Sequence, residues 1–205
     1  MALTQQEQDQ VAKAVASVEE KTAGEIVVRV VPRSDDYVDV RLAVAAIWGL
    51  ILSESLIWFG PESWVSYGVT TAILGGLCAW FLTAIPFLLR RLIPRARVAN
   101  AVHLRAKAAF VEERVHRTRD ASGVLVLVSM LEHRVEILAD EGIHTRVGTE
   151  GWSRHVRTIV EGVRRGALAE GLIEAVKAVG RELEQHFPPR PDDRNELPDR
   201  PRVDL

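Results

Sequence analysis

The sequence has little cysteine and little net charge. Its single cysteine, Cys78, cannot form an internal disulfide or a cysteine-based metal cluster, so a metal site would need oxygen or histidine ligands. The formal net charge is only -2, since 26 basic residues nearly balance 28 acidic residues. A chain without a basic field is a poor candidate for nucleic-acid binding. Composition therefore argues against nucleic acid as a partner.

Charge is also missing from a long internal segment. Residues 65–89 contain no Asp, Glu, Lys or Arg, and about 20 apolar residues suffice to cross the core of a bilayer. Upstream, residues 42–59 are nearly as apolar and contain one ionisable side chain, Glu54. A Gly-Pro turn signal, flanked by tryptophans, separates the two segments. These features predict a transmembrane helical hairpin within residues 41–93 and the lipid bilayer as a partner.

The distribution of arginine predicts the orientation of this hairpin. The turn between the spans has no Lys or Arg, and no cleavable signal pattern precedes residue 40. Short loops rich in Lys and Arg stay on the cytoplasmic side. We therefore expect two spans in the inner (cytoplasmic) membrane, with the N- and C-termini both cytoplasmic. The arginines that flank the hairpin are Arg33 and Arg41 before it, and Arg90, Arg91, Arg95 and Arg97 after it.

Glu54 has two interpretations. An intramembrane carboxylate is a candidate for a proton or ion pathway. Glu54 also lies less than two helical turns from Gly60, where it can be hydrated near the outer interface. A transporter or channel ranks third among the functions considered, because two spans with one such carboxylate offer little from which to build a pathway unless the protein oligomerises.

The remaining sequence alternates helical and strand patterns. Strand patterns stand on both sides of the hairpin, so neither flank can form the core alone, and we expect one cytoplasmic domain built from residues 1–40 and 95–187. The predicted fold is an α/β/α sandwich with a small mixed sheet, interrupted by the transmembrane hairpin. Residues 188–205 form an extended C-terminal tail rich in Pro, Asp and Arg. The expected helices cover residues 4–21, 96–118, 149–165 and 172–186, and the expected strands cover residues 24–31, 124–129 and 134–140.

The order of several short motifs resembles that of the TPM domain family. The resemblance is to the bacterial membrane-anchored branch of this family, which is related to the thylakoid acid-phosphatase domain. The resemblance extends over the whole soluble part. The motifs are Gly24-Glu25-Ile26-Val27-Val28, Ser34-Asp35 with Tyr37, the run from Ser122-Gly123 to Val128-Ser129, Glu132-His133-Arg134-Val135-Glu136-Ile137-Leu138-Ala139-Asp140 with Gly142-Ile143, and finally His186-Phe187-Pro188 and Asn195-Glu196-Leu197-Pro198-Asp199.

The resemblance implies an α/β/α sandwich and, for some members, divalent-cation binding or phosphatase activity. Many members follow the third strand with a Gly-Tyr-Gly-Leu-Glu type of turn. This sequence has Asp140-Glu141-Gly142-Ile143-His144 instead. The resemblance therefore does not by itself imply that this chain has the cation ligands or the catalytic activity of those members.

Acidic side chains follow each predicted strand. Asp35 and Asp36 follow the first strand, and if the first two strands are parallel, Asp35 and Glu132 approach each other at one sheet edge, where α/β folds place ligands. An antiparallel third strand would leave Asp140 at the opposite edge. Clustered carboxylates suit Ca²⁺ or Mg²⁺, but acidic residues are also common in turns for local reasons, and His133 has the same alternative turn role. Asp35, Asp36, Glu132 and Asp140 are the candidate metal ligands.

Two functions are compatible with these features. The first is a membrane-anchored module that binds proteins, in the assembly or maintenance of membrane complexes, with a possible divalent cation. The alternative is a divalent-cation-dependent phosphatase that acts on phosphate esters, although no nucleophile motif supports it. The tail motif either docks on the sheet as an edge segment or binds a partner. Its candidate partner-binding residues are Asn195, Glu196, Leu197, Pro198 and Asp199.

Overall fold

A computed structural model of the chain describes residues 3–143, 167–190 and 195–204. The helix predicted at residues 149–165 lies outside these ranges. The chain divides into two compact units, which are described separately below. The first unit comprises Met1–Ser34 with Ala99–Leu205, and the second comprises Asp35–Val98.

The described elements follow the predicted order closely. Two short 3-10 helices, Glu62–Tyr67 and Val115–Arg117, stand between the longer elements. In chain order the helices and strands are α1 (Gln5–Glu19), β1 (Glu25–Val31), α2 (Val38–Phe59), α3 (Gly68–Leu82), α4 (Pro86–Leu92), α5 (Arg95–Glu112), β2 (Gly123–Ser129), β3 (Arg134–Ala139), α6 (Leu168–His186) and β4 (Arg202–Val203).

The first unit has an α/β fold around a four-stranded mixed sheet with the order β3-β2-β1-β4. β1 and β2 are parallel, the case on which the predicted meeting of strand ends depends, and β2 and β3 form an antiparallel hairpin. The tail adds β4, which runs parallel to β1. The parallel ladder continues past β2, because the Met130 N–H donates to the Val31 carbonyl and the Leu131 N–H donates to the Pro32 carbonyl.

Helices cover both faces of this sheet. Side chains alternate between the faces of a strand, and Ile26, Val28 and Val30 share one buried cluster with residues of α1 and α6. Arg29 points to the other face and there meets Glu112 at the end of α5. The central strands β1 and β2 are buried along their whole length. A buried charge on β1 therefore lies between the sheet and a helix.

Three helices of this unit differ from the predictions at one end: α1 ends at Glu19 rather than at residue 21, α6 begins at Leu168 rather than at residue 172, and α5 ends early. α1 begins with a capping box, in which the Thr4 hydroxyl accepts the Glu7 N–H at 3.3 Å and the Glu7 carboxylate accepts the Thr4 N–H at 2.8 Å. The helix predicted at 96–118 instead ends at Glu112. Arg114 adopts a left-handed conformation with φ of 59°, which ends the helical hydrogen-bond pattern.

The second unit consists of α2, the 3-10 helix Glu62–Tyr67, α3 and α4. α2 begins at Val38 rather than at Leu42 and runs for 22 residues. The segment 65–89 is not one helix, because α3 ends at Leu82 and a new helix begins at Pro86. Proline has no N–H to donate to the preceding turn and suits the first position of a helix.

Glycines bring α2 and α3 into close contact. A Cβ atom on Gly49 would lie 2.5 Å from the Ala72 carbonyl oxygen, and one on Gly75 would lie 2.5 Å from Leu52. Small residues of this kind allow membrane helices to approach each other closely. Val38–Phe59 and Glu62–Leu82 are both long and apolar enough to cross a membrane, by length and composition.

Candidate functional site

The carboxyl ends of β1 and β2 meet at one edge of the sheet. Ser129, which is fully buried, donates its hydroxyl to Glu132 at 2.5 Å. Ser34 donates its hydroxyl to the Ser129 oxygen at 2.7 Å and its backbone N–H to Glu132 at 3.0 Å. Both oxygens of the Glu132 carboxylate therefore hold the loop after β1 to the turn between β2 and β3. We call these three residues the Ser34 cluster.

His133 lies in the same β2–β3 turn. Its φ of 50° is left-handed, a conformation in which His, Asn and Asp are enriched among non-glycine residues. Its backbone N–H donates to the Met130 carbonyl at 3.4 Å. This geometry fits the turn role that was one of the two interpretations of His133.

Asp35 and Asp36 belong to the second unit and precede α2. One oxygen of Asp35 accepts the Tyr37 N–H at 3.1 Å, and the other is 2.8 Å from the Arg97 guanidinium. Arg97 also lies 3.6 Å from Asp39 in the first turn of α2. Asp35 thus orders the entry to α2 and neutralises an arginine, which is the local role that aspartate commonly has in turns.

Asp140 lies at the other end of the sheet. Its N–H donates to the Gly123 carbonyl at 2.9 Å, at the start of β2, whereas Glu132 follows the end of β2. A seven-residue strand separates the two carboxylates by about 20 Å. Glu132 and Asp140 therefore do not fit the coordination sphere of one ion, and the described residues contain no group of three or more His, Cys, Asp or Glu arranged to hold a metal. Metal binding by any of the four candidates stays a prediction.

The C-terminal tail lies along the free edge of β1. Arg202 and Val203 pair with Arg29 and Val30, and the Asp204 N–H donates to the Val30 carbonyl at 2.9 Å. The edge segment is therefore formed by residues 202–204, beyond the motif 195–199 for which edge docking was one of two alternatives.

The predicted partner-binding motif, residues 195–199, docks at the beginning of the same strand. The Glu25 carboxylate accepts the N–H groups of Glu196 and Leu197 at 3.1 and 3.2 Å. The Glu196 carboxylate accepts the Arg119 N–H at 2.9 Å. Asn195 donates to Asp199 within the motif at 2.5 Å. Side chains and main chain therefore both attach the tail to β1.

A cluster of buried charges holds the end of the tail. Arg29 is 5% exposed and lies 3.1 Å from Glu113 and 3.0 Å from Asp204. It also binds Glu112, and this hydrogen bond lowers the pKa of the Glu112 carboxyl. Arg105 joins the same groups, at 3.1 Å from Glu112 and 2.9 Å from Asp204. We call these five residues the Arg29 cluster.

A second carboxylate group lies beside the tail, at the beginning of β1. Glu19, at the end of α1, lines a cavity of about 400 Å³ together with Glu25 and Asp199. One Glu19 oxygen accepts the Ile26 N–H at 2.8 Å. Burial raises the pKa of Glu19 to about 8; the bond from Ile26 opposes this shift, and the carboxylates of Glu25 and Asp199 add to it. Glu19 is therefore mostly protonated at neutral pH.

Four residues that carry this edge are not among the residues predicted from strand ends, namely Glu19, Glu25, Arg29 and Asp204. One signal was available for Arg29. It is a charged residue in the middle of a strand that is otherwise apolar after Glu25. A charge in such a strand requires a partner, since an unpaired buried charge is strongly unfavourable.

Sequence comparison identifies part of this unit. Residues 94–182 match the TPM domain. The match begins just before α5, includes β2 and β3, and ends within α6. The sequence resemblance was expected over the whole soluble part, but β1 and the tail lie outside the matched range. No curated protein matches the sequence.

A solved structure extends the likeness beyond the matched TPM domain. The NMR structure of the BA42 protein from the psychrophilic bacterium Bizionia argentinensis is similar, with a TM-score of 0.62 at 20% sequence identity. The likeness covers 98% of this chain and 95% of that chain. At this identity it establishes the fold alone. What the β1 edge of this chain binds therefore has to come from the geometry of that edge.

Proposed function

We propose that the protein is a membrane-anchored TPM-domain protein whose soluble domain binds other proteins, in the assembly or maintenance of membrane complexes. The observation that carries this proposal is the docking of an extended segment on β1. Residues 196–204 are attached to that edge through the backbone of β4, the Glu25 carboxylate and the Arg29 cluster. The edge of the sheet thus has the features of a peptide-binding surface.

Membrane anchoring is supported by the surface of α2 and α3. Large apolar side chains on them are exposed, including Phe59 at 90% and Val69 at 73%. Almost none of the residues in the two candidate spans is buried, which distinguishes them from the core helices of a soluble protein. Contiguous apolar surface is unfavourable in water and favourable in lipid. We infer that both helices cross the membrane, with both termini cytoplasmic.

Cysteine labelling tests this orientation. In a Cys78→Ser background, a membrane-impermeant maleimide should label Ser63→Cys in intact spheroplasts. Ala167→Cys should be labelled only after the membrane is opened. Labelling of Ala167→Cys in sealed spheroplasts would contradict the proposed orientation, and recovery of the protein in the soluble fraction would contradict anchoring.

The β1 edge is suited to strand addition, in which main-chain hydrogen bonds provide affinity and side-chain contacts provide selectivity. β4 pairs with only two residues of β1, Arg29 and Val30. Arg29 and Arg105 both bind the Asp204 carboxylate. A partner segment that replaces the tail would be extended and would carry a carboxylate at the position of Asp204.

A peptide exchange experiment tests the edge. A chain that ends at Pro189 should bind a labelled peptide of residues 195–205, measured by fluorescence anisotropy. The same peptide with Asp204→Asn should bind about tenfold more weakly, because a charged hydrogen bond to Arg29 and Arg105 is lost. Full-length protein is the control and should bind less peptide, since its own tail occupies the edge. Equal binding of the two peptides would contradict the proposed selectivity.

A divalent-cation-dependent phosphatase is the second candidate function. The resemblance to TPM proteins implies it, and the Ser34 cluster supports it by placing two hydrogen-bonded hydroxyls and a carboxylate at the carboxyl edge of the parallel strands. The test is an assay on a generic phosphate ester with Ca²⁺, Mg²⁺ or Mn²⁺. Ser34→Ala and Glu132→Ala should each abolish the activity. If neither substitution changes the activity, the Ser34 cluster is not the catalytic site.

A further inference from the structure

The second unit contains an apolar groove formed by α2, α3 and α4. Its volume is about 520 Å³. Its lining is apolar except for Thr83 and Arg91, and side chains of Trp48 and Leu82 remain about half exposed along it. The groove is therefore open on the surface that we assign to lipid. Cys78 of α3 and Arg91 of α4 are among the residues that line it.

One of the residues that line this groove is an arginine, Arg91. Arg91 is exposed, and its guanidinium lies 6.0 Å from the centre of the Phe87 ring. Among the described side chains, no acidic group forms an ion pair with Arg90, Arg91 or Arg95. Arg97 differs, because Asp35 and Asp39 neutralise it. A positive charge is thus available beside the apolar groove.

Arg41 has a structural role that keeps the groove in shape. Its guanidinium lies 4.0 Å above the Trp80 ring and donates to the Trp80 carbonyl at 3.3 Å and to the Thr83 hydroxyl at 3.4 Å. These contacts hold the start of α2 against the end of α3, where the chain breaks before α4. The α2 and α3 walls of the groove are therefore held in a defined arrangement.

We propose that this groove binds one anionic phospholipid, with an acyl chain along the apolar walls and the phosphate at Arg91. The inference rests on the proposed membrane anchoring and orientation, which place Arg91 at the cytoplasmic leaflet. Basic pockets between membrane helices on that side bind anionic head groups. The side chain of arginine has an apolar stem and a cationic end, so it suits the interface between lipid tails and head groups.

Charge selects a lipid over a second copy of the chain as the occupant. A second copy that docked through the same groove would bring another Arg91 to this surface, and the two like charges would repel each other. An anionic phospholipid instead supplies both the apolar chain and the missing negative charge.

Native mass spectrometry of the full-length protein tests the proposal after reconstitution in equimolar phosphatidylcholine and phosphatidylglycerol. The protein should retain one phosphatidylglycerol about fivefold more often than phosphatidylcholine, which is the factor expected from one arginine near an anionic surface. Arg91→Gln should remove this preference, while Arg90→Gln should keep it. Cys78→Trp should fill the groove and lose both lipids, and Leu74→Trp on the same helix should lose neither.

The outcomes separate the lipid site from membrane anchoring. A protein that does not integrate into the bilayer overturns the anchoring proposal itself. A protein that integrates but retains the two lipids equally overturns the lipid site alone. The lipid site is also overturned if Arg91→Gln and Arg90→Gln change the lipid preference equally. It is overturned too if the protein is a dimer and Cys78→Trp dissociates that dimer, because the groove would then be occupied by a second copy.

Discussion

Arg29 and Asp204 form an ion pair at 3.0 Å although 175 positions of sequence separate them. Arg29 lies in the middle of β1, and Asp204 follows the tail strand β4. The pair joins the centre of the sheet to the C-terminal tail. Because Arg29 is almost fully buried, the tail completes the charge balance of the core as well as the edge of the sheet.

We expect Arg29→Ala to destabilise the protein by about 3–5 kcal/mol, the range for breaking a buried ion pair. The substitution leaves Glu113, whose side chain is only 7% exposed, with the more exposed Arg202 as its remaining cationic partner. Arg105→Gln, at a more exposed position of the same cluster, should cost about 1 kcal/mol or less. Thermal unfolding of the detergent-solubilised chain measures both. An Arg29→Ala protein as stable as Arg105→Gln would show that the cluster contributes little.

Glu19 predicts a dependence of stability on pH. Its pKa of about 8 in the folded chain exceeds the ordinary value of 4.5, so the folded state binds more protons than the unfolded state. The contribution of Glu19 to the stability of the folded state is fully present below pH 4.5 and is lost as the pH rises to about 8.

Glu19→Gln should therefore reduce the fall of the melting temperature between pH 5 and pH 8, since glutamine does not titrate. Glu20→Gln is the matched control, because Glu20 is the adjacent, exposed residue. Melting curves across this pH range test the idea. If the wild type and Glu19→Gln lose stability in parallel, Glu19 does not titrate as proposed.

Glu132→Ala should destabilise the protein by about 1–3 kcal/mol, because the Ser34 N–H and the Ser129 hydroxyl would lose their acceptor in a buried place. Glu136→Ala, on the neighbouring strand β3 and more exposed, should cost less. Thermal unfolding again provides the measurement. A loss of Ca²⁺ binding by Glu132→Ala without a loss of stability would instead favour a ligand role.

Gly49→Leu should weaken the packing of α2 against α3, since a Cβ at this position would meet the Ala72 carbonyl oxygen at 2.5 Å. The backbone cannot move aside without separating the two helices. Ala46→Leu, at an exposed position of α2, is the control and should be tolerated. Melting of the detergent-solubilised protein should begin at a lower temperature for Gly49→Leu alone. Equal melting temperatures would mean that the helices do not require this contact.

Local patterns were sufficient to predict most elements of the fold. The β-branched runs that became β1 and β2 have a strong strand preference, and the capping box at Thr4 and Glu7 marks the start of α1. The break at Pro86 was less visible, because an uncharged segment conceals where one helix ends and the next begins. The parallel pairing of β1 with β2 then located the Ser34 cluster at one edge of the sheet.

By itself, the sequence determined the two apolar helices, the strand order along the chain and the absence of a disulfide, since these depend on residues close together or on composition. The tertiary structure alone decided that the tail becomes β4, that Arg29 meets Asp204, and that Glu19 lies near Asp199. The physical reason is that charge pairing and burial depend on distance in space. No local periodicity specifies which of 28 acidic residues will neutralise one buried arginine.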